Sequence, residues 1–397
     1  MRVAIIGQGY VGLTIAVGAA GAGHSVVGFD VNDALVAQLN AGKSHIEGIS
    51  DKDLTGYVSA GLYRASTDAA VLDGSDVIVI AVPTPLDDHR NPDLSFVQAA
   101  SELINQYVKS PALIVNESTS YPGTLRTEIA ARITTVEHLY ASSPERVDPG
   151  NTQWGTKNTP RLIGGLTPPA VAKAREFYAT FCDSIIEVSS PEVAEAAKIF
   201  ENTFRQVNIA LVNELAQISH ALGIDVRETL DAAGTKPYGF MKFAPSAGVG
   251  GHCIPVDPSY LADVAEKAGV AATFIQRANE VNLEMPQYIA QRVAKDNGGS
   301  LKGKGVVVVG VAYKPNVADT RETPAELLID ALKELGAEVS WHDPVVQQWR
   351  GQQSADLGSA EIAVVVTKHD VVDAEAILKS ASYVFDTTGK VKGAVQL

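Results

Sequence analysis

Only two cysteines occur in the 397 residues, and one of them, Cys253, lies in the stretch GVGGHCIPVDP spanning 248–258. Bare glycine backbone on its N-terminal side lets a reactant approach the sulfur, and Asp257 stands four residues on. A thiol so placed suits addition to an aldehyde. Loss of a hydride from the thiohemiacetal gives a thioester, and water then releases a carboxylate. Asp257 is the residue to position or activate that water, with Ile254, Pro255 and Val256 holding it rigidly. A small buried hydrophobe is the usual state of an unbridged cysteine, and local sequence leaves both readings open. His252, beside the thiol, either lowers its pKa or fills the loop.

A second polar group sits upstream. Lys198, Asn202 and Arg205 fall at i, i+4 and i+7 in a predicted helix over 191–222, so they share one face. Ser190 caps that helix, Pro191 opens it and Gly223 stops it. A lysine here suits stabilising an alkoxide or orienting water. The competing reading is a solvated helix face with Glu195 and Glu201 as ion-pair partners. Further candidates end apolar strands: Pro83, Thr84 and Pro85 after DVIVIAV, and Thr119 at the close of LIVNEST. Glu145 and Arg146 follow in the turn-rich ASSPERVDPGN. Cys182, in FYATFCDSIIEV, reads as buried and structural.

Strands alternating with helices must carry these groups. VAII (3–6) runs into GQGYVG, a helix follows, and SVVGFD ends on Asp30. Gly7, Gly9 and Gly12 in that setting form a dinucleotide-binding turn. The amides at the helix start, at Tyr10 and Val11, receive phosphates. Asp30 accepts from the ribose hydroxyls and repels a 2′-phosphate, which favours NAD over NADP. The order recurs near the C-terminus: GVVVVGVAY (305–313), a helix from Pro324 to Leu335, and AEVSWHD ending on Asp343 in the place Asp30 holds. There the turn carries Lys314, Asp319 and Arg321 instead of three glycines. The expected fold is α/β: two Rossmann-like, doubly wound parallel-sheet domains joined by a central helical domain. The expected boundaries are 1–190, 191–297 and 298–397.

Composition narrows the partners. The net charge is −14 and the 32 basic residues are dispersed, so no nucleic-acid footprint is present. A small anion held by a few placed cations fits better. No apolar run is long enough for a membrane span, no signal peptide is evident, and the cysteines give neither a disulfide framework nor zinc spacing. A cytoplasmic protein without a metal is expected.

Taken together, GQGYVGL with Asp30, AVPTP, ESTSYPGT, SPER, AEAAKIFENTFRQVNIALVNELA, GVGGHCIPVDP and AYKPNVADTRETPA resemble the UDP-glucose/GDP-mannose dehydrogenases along essentially the whole chain. The resemblance implies a subunit that dimerises, or assembles further, through its central helices. It implies oxidation of a UDP-sugar C6 alcohol to a uronate with two NAD consumed per sugar. Cys253 is then the nucleophile, with Lys198 and Asp257 assisting oxyanions and water and Asn202 beside them. Thr119 and Glu145 orient reacting groups; Arg146, Arg205, Gly250 and Lys314 fall to the nucleotide sugar, and Pro83, Thr84 and Arg321 to the cofactor. Pro149 stands where many members carry a second glutamate. GGHCIPVDP and PDLS (92–95) look like the N-acetylhexosamine branch, which favours UDP-N-acetylmannosamine or UDP-N-acetylglucosamine over UDP-glucose. A two-electron 3-hydroxyacid dehydrogenase leaves Cys253 and the C-terminal domain unexplained. A non-catalytic NAD- or nucleotide-sugar sensor would not need the thiol site to be intact.

Overall fold

The computed structural model of the chain describes residues 1–46, 48–87, 89–147, 151, 153–251 and 253–397. It divides into two compact units, Met1–Glu201 with Ser259–Val270, and Asn202–Pro258 with Ala271–Leu397.

The first unit is built on β1 (Arg2–Ile6), α1 (Tyr10–Gly21), β2 (Ser25–Phe29), α2 (Asp33–Asn40), α3 (Asp51–Ser59), β3 (Tyr63–Ser66) and β4 (Val77–Ile80). It continues through α4 (Ser95–Tyr107), β5 (Leu113–Asn116), β6 (Leu139–Ser142), β7 (Arg161–Gly165), α5 (Pro168–Tyr178) and β8 (Ile185–Glu187) into α6 (Pro191–Leu222). Its eight strands lie in the order β3-β2-β1-β4-β5-β6-β7-β8. All neighbours are parallel except β6 and β7. Strands β2 and β3 are added on one side of β1 and β4 onward on the other, and this switch in strand order puts a crevice at the carboxyl ends of β1 and β4. Val3, Ile5, Val77, Val79, Ile114 and Val115 are fully buried. Both faces of the sheet are covered, so these strands read as unbroken apolar runs rather than alternating ones.

The second unit holds α7 (Val226–Gly234), α8 (Cys253–Lys267), α9 (Thr273–Asp296), β9 (Gly305–Val309), α10 (Pro324–Glu334), β10 (Glu338–His342) and the short pair β11 (Gln348–Trp349) and β12 (Gln352–Gln353). It ends in β13 (Ile362–Val365), α11 (Ala374–Ser380), β14 (Tyr383–Asp386) and β15 (Val395–Gln396). The sheet runs β10-β9-β13-β14-β15, all parallel. Its core joins Val306, Val308, Leu328, Leu332 and Phe385 to Met285, Ile289 and Val293 of α9. The C-terminal sheet and the last central helix therefore share one hydrophobic cluster. Helices α6 and α8 each contribute residues to both units.

The expected strands and the long helix are present. Cys253, read from sequence as a loop residue, is instead the first residue of α8. The glycines end just before it. Pro255 lies in the first helical turn, where a missing N–H costs nothing, and Pro258 follows inside the helix. Among the described residues no helix is long and apolar enough to cross a membrane.

Candidate active site

In the first unit the dinucleotide turn opens α1. A Cβ on Gly12 would overlap the carbonyl oxygen of Gly7, so helix and strand approach this closely only without a side chain. The N-cap of α1 is Gly9, with no side-chain cap, and nothing lies within 4 Å of where a Gly9 Cβ would point. No side chain therefore caps the start of α1 or crowds its N-cap, which leaves room for a pyrophosphate at the helix N-terminus. Asp30 follows β2, half-buried, and accepts from the Gln8 and Asn32 amides at 2.8 and 3.0 Å. Unused lone pairs remain on its carboxylate for ribose hydroxyls. These residues fit NAD.

The same edge is stitched together at β4 and β5. The Ser118 hydroxyl accepts from the Val82 amide and donates to the Val82 carbonyl, both at 2.9 Å. Tyr260 donates to the carbonyls of Pro85 and Asp93. Thr84 is buried, Pro83 exposed and Thr119 half-buried.

Glu145, after β6, is nearly buried. Its Oε1 accepts from the amides of Arg146 and Val147 at 2.7 and 2.8 Å, and its Oε2 from Arg161 at 2.7 Å. Burial pushes its carboxyl up, but Arg161 and the two amides outweigh burial and hold it below the usual range. Arg146 pairs with Glu201 at 2.6 Å.

On α6, Lys198 is 7% exposed and belongs to the first unit; Asn202, one turn on, is 5% exposed and belongs to the second. The solvated-face reading is thus set aside for both, although Arg205 is exposed. Glu195 is no surface ion-pair partner either. It accepts from the Gly123 and Leu125 amides at 2.7 and 3.0 Å, and burial pushes its carboxyl up to about 8. Glu201 does pair, with Arg146.

In the second unit the Cys253 side chain is exposed and in no disulfide, which removes the buried-hydrophobe reading. Asp257 follows one turn later on α8, 1% exposed, and Asn202 Nδ2 donates to its Oδ2 at 2.5 Å. The glycines ahead of the thiol serve close approach: Gly251 has φ +84, and a Cβ there would stand 2.9 Å from the Tyr313 ring. Gly250 faces Tyr313 and Glu322 in the same way. The Gly251 amide donates to the Arg321 carbonyl at 3.0 Å. Arg321 itself is forked onto Asp319 through Nε and Nη2, and its guanidinium feels the Cys253 sulfur. The N-terminus of α8 and Arg321 both favour negative charge there. Lys314 is half-buried in the same loop. His252 and Pro149 lie outside the described residues.

Sequence reasoning missed Glu117, Arg161 and Tyr178, which form one buried cluster with Glu145. The signal was available: Arg161 is a charge opening the apolar strand RLIGG, and Glu117 sits inside NEST. Cys182 is buried, as its apolar setting implies, and burial pushes its thiol up to about 11.

Comparison with known proteins gives matches over nearly all of the chain. Residues 1–182 match the NAD binding domain of the UDP-glucose/GDP-mannose dehydrogenase family, 192–284 its central domain and 307–393 its UDP binding domain. The UDP-N-acetyl-D-mannosamine dehydrogenase of Pyrococcus horikoshii is 34% identical over 382 residues, 93% of this chain and 90% of that one. The UDP-N-acetyl-D-glucosamine 6-dehydrogenase of Pseudomonas aeruginosa is 34% identical over 357 residues, 87% and 83% of the two. The solved structure of the UDP-D-ManNAc dehydrogenase from Pyrococcus horikoshii superposes with a TM-score of 0.90 at 31% identity, covering 100% of this chain and 98% of that one.

Proposed function

We propose that this chain, which belongs to the UDP-glucose/GDP-mannose dehydrogenase family and is an NAD-dependent nucleotide-sugar dehydrogenase, oxidises the C6 alcohol of a UDP-N-acetylhexosamine to the uronate through a thioester on Cys253. The observation that carries the reading is the exposed Cys253 at the start of α8, with buried Asp257 one turn on and hydrogen-bonded to Asn202. An inert structural thiol needs neither exposure nor a carboxylate held at that spacing.

Gly7, Gly9, Gly12 and Asp30 would hold NAD, which would supply the hydride acceptor for each of the two oxidations, two molecules per sugar. The chain's own residues do the rest. Lys198, buried near one end of α6, stabilises the alkoxide as the alcohol proton leaves. The Cys253 sulfur adds to the aldehyde carbonyl, and the oxyanion so formed collapses with loss of the second hydride to a thioester. Asp257, oriented by Asn202, directs a water onto that thioester. The C–S bond breaks, the thiol is restored and the carboxylate leaves. Thr119 and Glu145 orient the reacting groups; Gly7, Gly9, Gly12 and Asp30 hold the cofactor. Arg146, Arg205, Gly250 and Lys314 hold the nucleotide sugar, and Arg321 is assigned to the cofactor. The division into cofactor (1–190), central (191–297) and nucleotide-sugar (298–397) parts belongs to the same reading. The substrate class rests on the GGHCIPVDP loop and on the relatives' activities. It is tested by kcat/KM on UDP-N-acetylmannosamine, UDP-N-acetylglucosamine and UDP-glucose in parallel; a preference for UDP-glucose would refute the N-acetylhexosamine assignment.

The working form is a dimer through α6. Val193, Phe200, Phe204, Leu211, Ile218 and Leu222 are all exposed, Leu211 at 60% and Leu222 at 67%. Their separations of seven and four residues put them on one stripe of the helix, the pattern of a helix seam awaiting a partner. Each such side chain is worth roughly 1.5–3 kcal/mol when buried. Light scattering should give twice the chain mass of 41.8 kDa for the native protein and 41.8 kDa for the Leu211→Glu, Ile218→Glu variant. A native monomer at micromolar concentration would contradict the assignment.

A further inference from the structure

Behind Glu145 stands a set of ionisable side chains that the reaction scheme does not use. Arg161 opens β7 and is 4% exposed. Its Nη2 donates to Glu145 Oε2 at 2.7 Å, and its Nη1 lies 2.9 Å from Glu117 Oε2 and donates to the Ser143 carbonyl and hydroxyl. The Tyr178 ring lies against the guanidinium, 4.6 Å from centroid to Cζ, while its hydroxyl donates to Glu117 Oε1 at 2.5 Å. Cys182 completes the surroundings. One cation thus bridges two carboxylates that come from the ends of different strands.

The arrangement does more than neutralise charge. A buried ion pair is often replaceable by apolar residues without loss of stability, so packing alone gives little reason for this cluster. What the cluster does supply is direction. With two backbone amides on Oε1 and Arg161 on Oε2, three of about four lone-pair sites of Glu145 are committed, leaving one free. We propose that Arg161 is a positioning residue for the reaction: braced by Glu117 and Tyr178, its guanidinium fixes the Glu145 carboxylate in the orientation that catalysis uses. This rests on the role given to Glu145 above. The proton balance agrees with it. Two carboxylates and one guanidinium would leave a net buried negative charge, which is costly. Burial pushes the Glu117 carboxyl up, whereas Arg161 and the two backbone amides hold Glu145 low, so the two carboxylates are driven apart with Glu145 the more readily ionised.

The test compares Arg161→Lys, Arg161→Gln, Tyr178→Phe and Glu145→Gln, with kcat and KM followed against pH and folding checked by thermal melting. Lysine keeps the charge but not the two-armed bridge, and kcat should fall roughly 10–100-fold with KM nearly unchanged. Glutamine removes the cation, so the Glu145 carboxyl rises and the acid limb of kcat moves to higher pH, with activity partly recovered there. Tyr178→Phe, which keeps the ring, should shift the same limb with a loss of roughly 3–10-fold, and it decides the matter if an Arg161 variant does not fold. Folded Arg161→Lys and Tyr178→Phe enzymes with native kcat and an unmoved acid limb, beside an inactive Glu145→Gln, would overturn the positioning role alone. A Glu145→Gln enzyme at native rate would overturn the role of Glu145 and the inference with it.

Discussion

Cys253→Ala is expected to abolish uronate formation, by at least ~10³-fold, while leaving one oxidation per sugar within reach of the enzyme. The first hydride leaves an alcohol and needs only the cofactor site and a group to stabilise the alkoxide. The second must leave a tetrahedral centre on the aldehyde carbon, and in the proposed mechanism the sulfur makes that centre. Without it the aldehyde accumulates as a two-electron product, seen as UDP-hexodialdose by mass spectrometry. Cys253→Ser should behave differently. A hydroxyl can add, but its ester loses an alkoxide, a far poorer leaving group than a thiolate, so an acyl-enzyme of increased mass should persist. Uronate production by Cys253→Ala near the native rate would mean that hydrated aldehyde is oxidised directly. The thiol would then have no place in the mechanism.

Asp343→Asn is expected to destabilise the second unit by roughly 3–5 kcal/mol, lowering its melting temperature on the order of 10 °C. Asp343 follows β10 and is fully buried. It accepts from the amides of Val311, Ala312, Val345 and Val346 at 2.9 to 3.1 Å, and from His369 Nε2 at 3.0 Å. His369 Nδ1 accepts from the Asn316 amide, so the ring proton sits on Nε2, facing the carboxylate. An asparagine would turn an NH₂ group toward donors that need an acceptor, and would leave some of them unmade. Burial pushes the Asp343 carboxyl up, but His369 and the amides outweigh burial and hold it at about 2. Its folded value lies below the unfolded one of ~3.9, so its contribution is complete above that pH and is lost as pH falls toward 2. That acid-sensitive part, ~2.5 kcal/mol, should be missing from the asparagine variant. Melting within 2 °C of the native protein at pH 7, with an unchanged acid profile, would contradict the assignment.

Asp343 also shows what sequence did and did not make legible. Its place at the end of a second strand, matching Asp30, is plain in AEVSWHD. Its orientation is not. Asp30 accepts from two amides, those of Gln8 and Asn32, and keeps lone pairs for a ligand, whereas Asp343 is spent on four amides, those of Val311 and Ala312 after β9 and of Val345 and Val346 after β10, and on His369. The duplicated strand order is thus readable from apolar runs, and the conversion of one copy is a matter of side-chain direction. The same holds around Glu145. Short motifs singled out Glu145, Lys198, Asn202, Cys253 and Asp257 because their types are rare in such settings. Arg161 and Tyr178 belong to an apolar strand and an ordinary helix, and only the sheet order brings them to Glu145. Helix α8 was hidden by two prolines and a run of glycines, signals that normally end helices; here Pro255 falls in the first turn, where a helix tolerates it, and the helix continues past Pro258. Glu195, seemingly one more surface acid on α6, is buried because the amides of Gly123 and Leu125, some seventy residues away in sequence, need an acceptor.

The central claim is a four-electron oxidation in which an aldehyde never leaves the enzyme. The most direct measurement is NADH formed per UDP-N-acetylhexosamine consumed by the native protein, with the sugar product identified in the same sample. The account predicts two NADH per sugar, uronate as the product and no free aldehyde at any stage of the progress curve. One NADH per sugar with aldehyde released would contradict it, and would leave the thiol at the head of α8 without a reaction to perform.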